Sequence, residues 1–234
     1  MQNVILSTAA FCLWDIEAPE KLKIGQNLAF NSIQIALSTI KMVEKFAETL
    51  EEGLDLSSFR SISLHAPWCG VKYGENSKTN KLMALFENIS RKIKIDCLIF
   101  RVDCIDDIHF LNQSTLPVCL ENSDKIGCWD KLQYYLINKD FKLALNVNRA
   151  TRRENYIDEL INQYGSRVER ILVSGYTKGK GRTPLLETNQ ISLLNKIKNI
   201  EAPLVLEGLF KPGDYISIVH EREEIATYLK KLKA

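Results

Sequence analysis

The chain has 234 residues, 45% of them apolar, enough to fill one large core. Its 31 basic and 29 acidic residues leave a formal charge of +2, so no global field draws in a nucleic acid or an anionic membrane, and any electrostatic recognition has to be local. The opening segment, Met1 to Phe11, has no basic leader and is interrupted by polar residues, which argues against a signal peptide or membrane span and for a cytoplasmic protein.

In chain order, short runs rich in Val, Ile and Leu predict eight strands: Val4–Thr8, Ser32–Leu37, Ser61–Leu64, Cys97–Arg101, Pro117–Glu121, Leu143–Asn146, Arg170–Ser174 and Leu204–Glu207. Between them, apolar residues three and four apart predict helices. The clearest stripe is Ile40, Val43, Phe46, Ala47 and Leu50, with Gly53 as its stop. Further helices are expected over Pro19–Phe30, Lys78–Ile93, Asp106–Leu111, Trp129–Ile137, Arg152–Tyr164, Gln190–Lys198 and Tyr215–Leu232. Strands buried on both faces and alternating with helices are the mark of repeated βα units with right-handed crossovers. The expectation is a single α/β domain over residues 1–234, a (β/α)8 TIM barrel with short loops and no linker.

Such a barrel does its chemistry where the parallel strands stop, and four runs end in polar side chains there: Ser61-Ile-Ser-Leu-His-Ala-Pro67, Val118-Cys-Leu-Glu-Asn-Ser-Asp124, Leu143-Ala-Leu-Asn-Val-Asn-Arg149 and Leu204-Val-Leu-Glu207. After the seventh strand, Gly175 to Pro184 forms an irregular, basic, glycine-containing connection. It does not have the spacing of a phosphate-binding P-loop, and reads either as a solvated loop or as a cover that closes over an anionic ligand. Six scattered cysteines form no C-x-x-C pair and read as buried free thiols.

Leu64-His-Ala-Pro67, Leu120-Glu-Asn-Ser-Asp-Lys125, Leu145-Asn-Val-Asn-Arg-Ala150 and Val205-Leu-Glu207, in that order and spacing, resemble xylose isomerase-like TIM barrels, a superfamily of sugar-phosphate isomerases, epimerases and endonuclease IV. The resemblance covers essentially the whole chain. It implies divalent metals held at the strand ends by Glu, Asp and His, with two glutamates moving a substrate proton in the sugar epimerases. Glu121 and Glu207 match that glutamate pair, and His65 matches the third-strand histidine. Elsewhere the chain departs: Arg101 stands where the family has a histidine after the fourth strand, Asn146 and Arg149 occupy the sixth-strand Asp-x-x-His pattern, Leu172 replaces the seventh-strand histidine with Ser174 beyond it, and Arg182 aligns with a later one.

Arginine is always charged and has no lone pair for a metal. No cofactor is therefore expected; a zinc or manganese ion, if held, would fall to His65, Glu121 and Glu207. With three histidines in the chain, and His109 and His220 on helices away from the mouth, a zinc nuclease is disfavoured. In exchange the substitutions suggest a pocket in which Arg101, Arg149 and Arg182, with Asn146 and Ser174, bind a phosphate or carboxylate group, and Trp68 and Trp14 stack on a sugar face or cover the core. The alternative for the arginines is an internal network, Arg101 with Glu121 and Arg149 with Glu207 or Asp103.

Three functions follow. One is metal-independent isomerase, epimerase or lyase chemistry on a small anionic sugar or polyol, with Glu121, Glu207 and His65 catalytic. The second is a non-catalytic binding or interaction protein, and the third is a metal-dependent sugar isomerase. The expected partner is a small anionic sugar-like ligand, not a nucleic acid or a membrane, and no feature points to a particular oligomeric state.

Overall fold

Parallel strands covered on both faces need apolar side chains at almost every position, and these runs meet that demand. The computed structural model describes residues 3–112, 114–178 and 181–233. Eight parallel strands close into a barrel: β1 (Val4–Ser7), β2 (Ser32–Ala36), β3 (Ser61–His65), β4 (Cys97–Arg101), β5 (Val118–Glu121), β6 (Lys142–Asn146), β7 (Val168–Val173) and β10 (Leu204–Leu206). β10 pairs with β1 to complete the ring. Around it run α1 (Ala18–Asn27), α2 (Ile40–Glu51), α3 (Ser77–Lys92), α4 (Cys128–Asn138), α6 (Tyr156–Tyr164) and α7 (Tyr215–Lys233), while α5 (Val147–Ala150) is a single turn at the end of β6. The fold class read from the sequence, a single (β/α)8 barrel, is the one observed.

Caps set where helices begin. Thr39 accepts a hydrogen bond from Met42 N at the start of α2, and Asn76 accepts one from Thr79 N at the start of α3. Most of the core lies between strands and helices. A second, smaller cluster of Ile5, Cys97, Ile99, Cys119, Ala144, Leu172 and Val205 fills the barrel itself. Side chains alternate along a strand, so two residues beyond this filling the chain again points inward, now at the carboxyl end. From Ile99, Cys119, Ala144 and Val205 that step leads to Arg101, Glu121, Asn146 and Glu207. Barrel packing thus positions the site.

Several details differ from expectation. The expected helices at 106–111 and 190–198 are shorter 3-10 turns, Ile108–Leu111 and Ile191–Ile197, and the one at 152–164 begins later, as α6 at Tyr156, with the separate turn α5 ahead of it. Cys97 and Cys119, expected as free thiols, are joined as a disulfide, because β4 and β5 run side by side and both residues face the barrel interior. The connection after β7 is a two-stranded antiparallel hairpin, β8 (Gly175–Thr177) and β9 (Gly181–Thr183). Gly179 and Lys180 of that connection lie outside the described residues.

The hairpin is docked closely. A Cβ at Gly208, just after β10, would stand 2.7 Å from Pro184 Cα, and one at Gly175 would meet Thr188 Oγ1 at 2.1 Å. Glycine is required at both positions for close approach. Gln190 clamps the other edge, accepting from Tyr176 N at 2.9 Å and donating to Tyr176 O at 3.1 Å. Among the described residues, no helix is long and apolar enough to cross a membrane.

Candidate active site

β5 and β6 deliver the most heavily bonded group. Glu121, 2% exposed, accepts from Asn146 Nδ2 at 2.8 Å and pairs with Arg149 Nε at 3.2 Å through Oε1, while Oε2 meets His65 Nε2 at 2.8 Å. Burial pushes its carboxyl upward, but the Arg149 charge, the His65 hydrogen bond and the charges of His65 and Arg101 together outweigh burial and hold it well below the usual carboxylate range. Asn146 is fixed from both ends. Its Oδ1 accepts from Arg149 N as the cap of α5, and its backbone N–H donates to Asn122 Oδ1 at 2.6 Å, so only its amide nitrogen is left to face Glu121.

His65 faces an acceptor at each ring nitrogen. Its Nδ1 lies 3.0 Å from the carbonyl oxygen of Ala66, an acceptor. A neutral ring has one N–H, yet Nε2 also faces an acceptor, the Glu121 carboxylate. A hydrogen on Nε2 points at Oε2 of Glu121, so the ring and the carboxylate form one hydrogen-bonded pair. Trp68 packs edge-on against the His65 ring, 4.7 Å between centroids, and lines the opening above it.

The opposite flank is built more loosely. Glu207, directly after β10, accepts from Gln34 Nε2 at 3.1 Å through Oε1, and its Oε2 lies 3.4 Å from Arg182 Nη1, brought in by the hairpin. Gln34 also donates to Ser7 Oγ, while its Oε1 and the hydroxyl of its register partner Ser63 are buried without a partner among the described residues. Two further arginines complete the rim. Arg101 forks onto Asp103, with Nε to Oδ1 at 3.1 Å and Nη2 to Oδ2 at 2.9 Å. Burial works to raise the Asp103 carboxyl, and a hydrogen bond from Lys125 with the charges of Arg101 and Lys125 brings it below its ordinary value. Arg152 donates to Asp124 and Asn148 at 2.8 and 2.7 Å, with the Tyr176 ring 4.4 Å from its guanidinium carbon.

These groups surround one cavity of about 430 Å³ at the carboxyl ends of the strands. His65, Trp68, Arg101, Glu121, Asn146, Arg149, Arg182 and Glu207, all singled out in the sequence, line it together. Ser174 is buried behind the lining, and its carbonyl accepts from Asn148. Trp14 also lies outside: its Nε1 donates to Phe210 O at 2.9 Å and its ring packs on Phe11 and Tyr215, closing the core beside β1. The ion pairs differ from those expected from the sequence. Arg101 takes the nearby Asp103, Arg149 takes Glu121, and Glu207 is left to Arg182.

Sequence reasoning missed Asp124, Asn148 and Arg152. A signal for Arg152 existed, because Arg149 and Arg152 are three apart across a helical turn and so share a face. Donor chemistry does not fit a divalent ion here. Among the described residues no three His, Cys, Asp or Glu side chains converge, since Arg149 and Asn146 occupy one oxygen of Glu121, His65 the other, and Gln34 and Arg182 hold Glu207.

No protein-family profile matches the chain, and no curated protein matches it in sequence. Solved structures do match in shape. A D-tagatose 3-epimerase-like protein aligns over 100% of both chains with TM-score 0.64 and 12% identity. A probable 3-DHS dehydratase from Bacillus anthracis aligns over 97% of this chain and 99% of its own, with TM-score 0.65 and 12% identity. A family 2 AP endonuclease from Brucella melitensis aligns over 95% and 99%, with TM-score 0.64 and 8% identity. At such identities the likeness establishes the fold alone, a (β/α)8 barrel of the shape these proteins share.

Proposed function

We propose that the chain binds a small anionic sugar or polyol at the carboxyl end of the barrel and moves a proton on it without a metal. One observation carries this reading. A single cavity unites Glu207, the hydrogen-bonded pair of His65 and Glu121, and the arginines Arg149 and Arg182. Glu121 is saturated with donors and held ionised, which suits it to retaining the proton on His65 and not to acting as a base. Glu207, with one firm donor and one loose ion pair, removes a proton from the carbon next to a carbonyl. The proton between His65 and Glu121 then passes to the developing oxyanion, whose charge the guanidinium groups stabilise. Epimerase-type and dehydratase-type names among the structural neighbours support proton chemistry of this kind by analogy of fold alone.

The test is solvent deuterium uptake by phosphorylated and carboxylated sugars, followed by NMR on chelator-treated protein. Exchange that survives chelation and falls by about 100-fold or more in Glu207→Gln, with affinity retained, is expected. Unchanged exchange in Glu207→Gln would remove the assignment. A second reading has its own support: every cavity arginine already has a carboxylate partner, so the network closes without a ligand. It predicts binding with no exchange at any carbon.

A further inference from the structure

Gln34 is wholly buried on β2, and its neighbours in register on both sides carry hydroxyls, Ser7 on β1 and Ser63 on β3. All three face into the barrel. Leu6, Ile33, Ile35, Ile62 and Leu64, which alternate with them, belong to the outer core between strands and helices. Gln34 Nε2 donates to Ser7 Oγ at 3.2 Å and to Glu207 Oε1 at 3.1 Å, which uses both of its hydrogens. On the other side of the amide, Gln34 Oε1 is buried without a partner among the described residues, and so is Ser63 Oγ. An unpaired acceptor and an unpaired hydroxyl thus share one row of the barrel.

An amide beside an ionised carboxylate must turn its nitrogen toward it, because the carboxylate only accepts. A neutral carboxyl reverses that demand. The two partners of Glu207 differ in how they can respond: Arg182, 3.4 Å from Oε2, can only donate, whereas an amide can donate or accept. The O–H of a neutral Glu207 therefore belongs on Oε1, facing Gln34, and half a turn of the amide plane gives that O–H an acceptor. Hydroxyls on both sides of the amide permit the turn. Ser63 can donate to Oε1 in the first orientation and accept from Nε2 in the second. Ser7, whose Oγ also accepts from Ala9 N at 3.2 Å, accepts from Nε2 in the first and keeps its own O–H for Oε1 in the second.

Resting on the assignment of Glu207 as the base, we infer that Gln34 is a positioning residue for it, a reversible amide whose orientation follows the proton on that carboxylate. With Glu207 ionised the amide nitrogen faces it; once Glu207 has taken a proton, the amide oxygen does. No covalent bond changes in the turn, and the proton stays on Glu207 Oε1. Because Gln34 is wholly buried, solvent does not stand in for the donor that is withdrawn. The Ser7, Gln34 and Ser63 row holds the carboxyl in either form, so proton uptake and return leave no buried polar group stranded. Ser63, three strands from β10 around the ring, acts on Glu207 only through Gln34.

Neutron diffraction from perdeuterated crystals separates an amide ND2 from its oxygen and tests the turn directly. Glu207→Gln stands in for the neutral acid: Arg182 keeps the oxygen of the new side chain, and the new ND2 faces Gln34. Gln34 Nε2 is expected toward position 207 and Ser7 in the wild type and toward Ser63 in Glu207→Gln. One orientation in both proteins would overturn the inference. A double-mutant cycle with Ser63→Ala, read by urea unfolding with circular dichroism as the check on fold, gives a second measure. The turned amide needs the Ser63 hydroxyl as acceptor, so Ser63→Ala is expected to shift the folding equilibrium at least about fivefold further in Glu207→Gln than in the wild type. Additive effects would overturn the part given to Ser63. A turned amide with no deuterium uptake into any sugar would sink the base assignment and leave the behaviour of Gln34 standing. Uptake that depends on Glu207, with an amide that does not turn, would sink this inference alone.

Discussion

The two flanks of the cavity hold the same kind of pair, a glutamate with an arginine, and hold it differently. On the β5 and β6 flank, Glu121 has three donors within 3.2 Å, each on a residue itself fixed by cap or register bonds. On the β10 flank, Glu207 meets Gln34 at 3.1 Å and Arg182 at 3.4 Å, and Arg182 stands on a small hairpin packed against a glycine. One flank is a fixed electrostatic anchor; the other can give. Reactive groups need freedom to change protonation, which is why the proposed base is assigned to the looser flank.

Breaking the anchor has the largest expected effect. Glu121→Ala strands Arg149 and His65 without their partner, and chemical denaturation is expected to report a loss of about 3–5 kcal/mol. Its pH dependence sharpens the contrast. The folded-state Glu121 carboxyl is held below its unfolded value, so the stability it contributes is complete above the ordinary carboxylate value near 4.3 and is lost as pH falls further. Unfolding free energies of wild type and Glu121→Gln should differ by a constant amount at neutral pH and converge below about pH 4.

Gly208→Ala attacks the other flank. The added Cβ meets Pro184 backbone, so the hairpin base must move, at a cost of about 1–3 kcal/mol, and Arg182 leaves Glu207 with it. A crystal structure of the variant with Arg182 Nη1 no longer within 4 Å of Glu207 would check the second half. Asn146→Ala removes a cap and a donor together, and a destabilisation of about 1 kcal/mol by thermal or urea unfolding is expected. The smallest effect belongs to Tyr176→Leu. Arg152 keeps Asp124 and Asn148, so only the cation–π contact is lost, about 0.5–1 kcal/mol in the same assay.

The strands were legible because a covered parallel strand has few ways to be written: all eight were placed, with ends within about two residues. The site was legible to the extent that it follows from those ends, which is why His65, Glu121, Asn146 and Glu207 could be named. Partners were less so. Arg101 could reach Glu121 or Asp103 from its strand end, and only the turn Val102–Cys104, which brings Asp103 back beneath it, decides between them. The hairpin escaped because three-residue strands leave almost no alternation to read. The disulfide escaped because the spacing of Cys97 and Cys119 carries no sign that both face the same interior.

Asn146 caps α5, orients Glu121 and, through the capped residue, fixes the origin of Arg149. Such a residue constrains the routes by which this barrel can change in evolution. Asn146→Asp would keep the cap but set two carboxylates around one guanidinium. Arg149→His would take away that guanidinium and leave Glu121 short of positive charge. Neither single step is expected to be neutral, and the two substitutions together should depart from the sum of their separate effects in a double-mutant cycle. Positions 146 and 149 are coupled through Glu121, so a substitution at one changes what the other can tolerate.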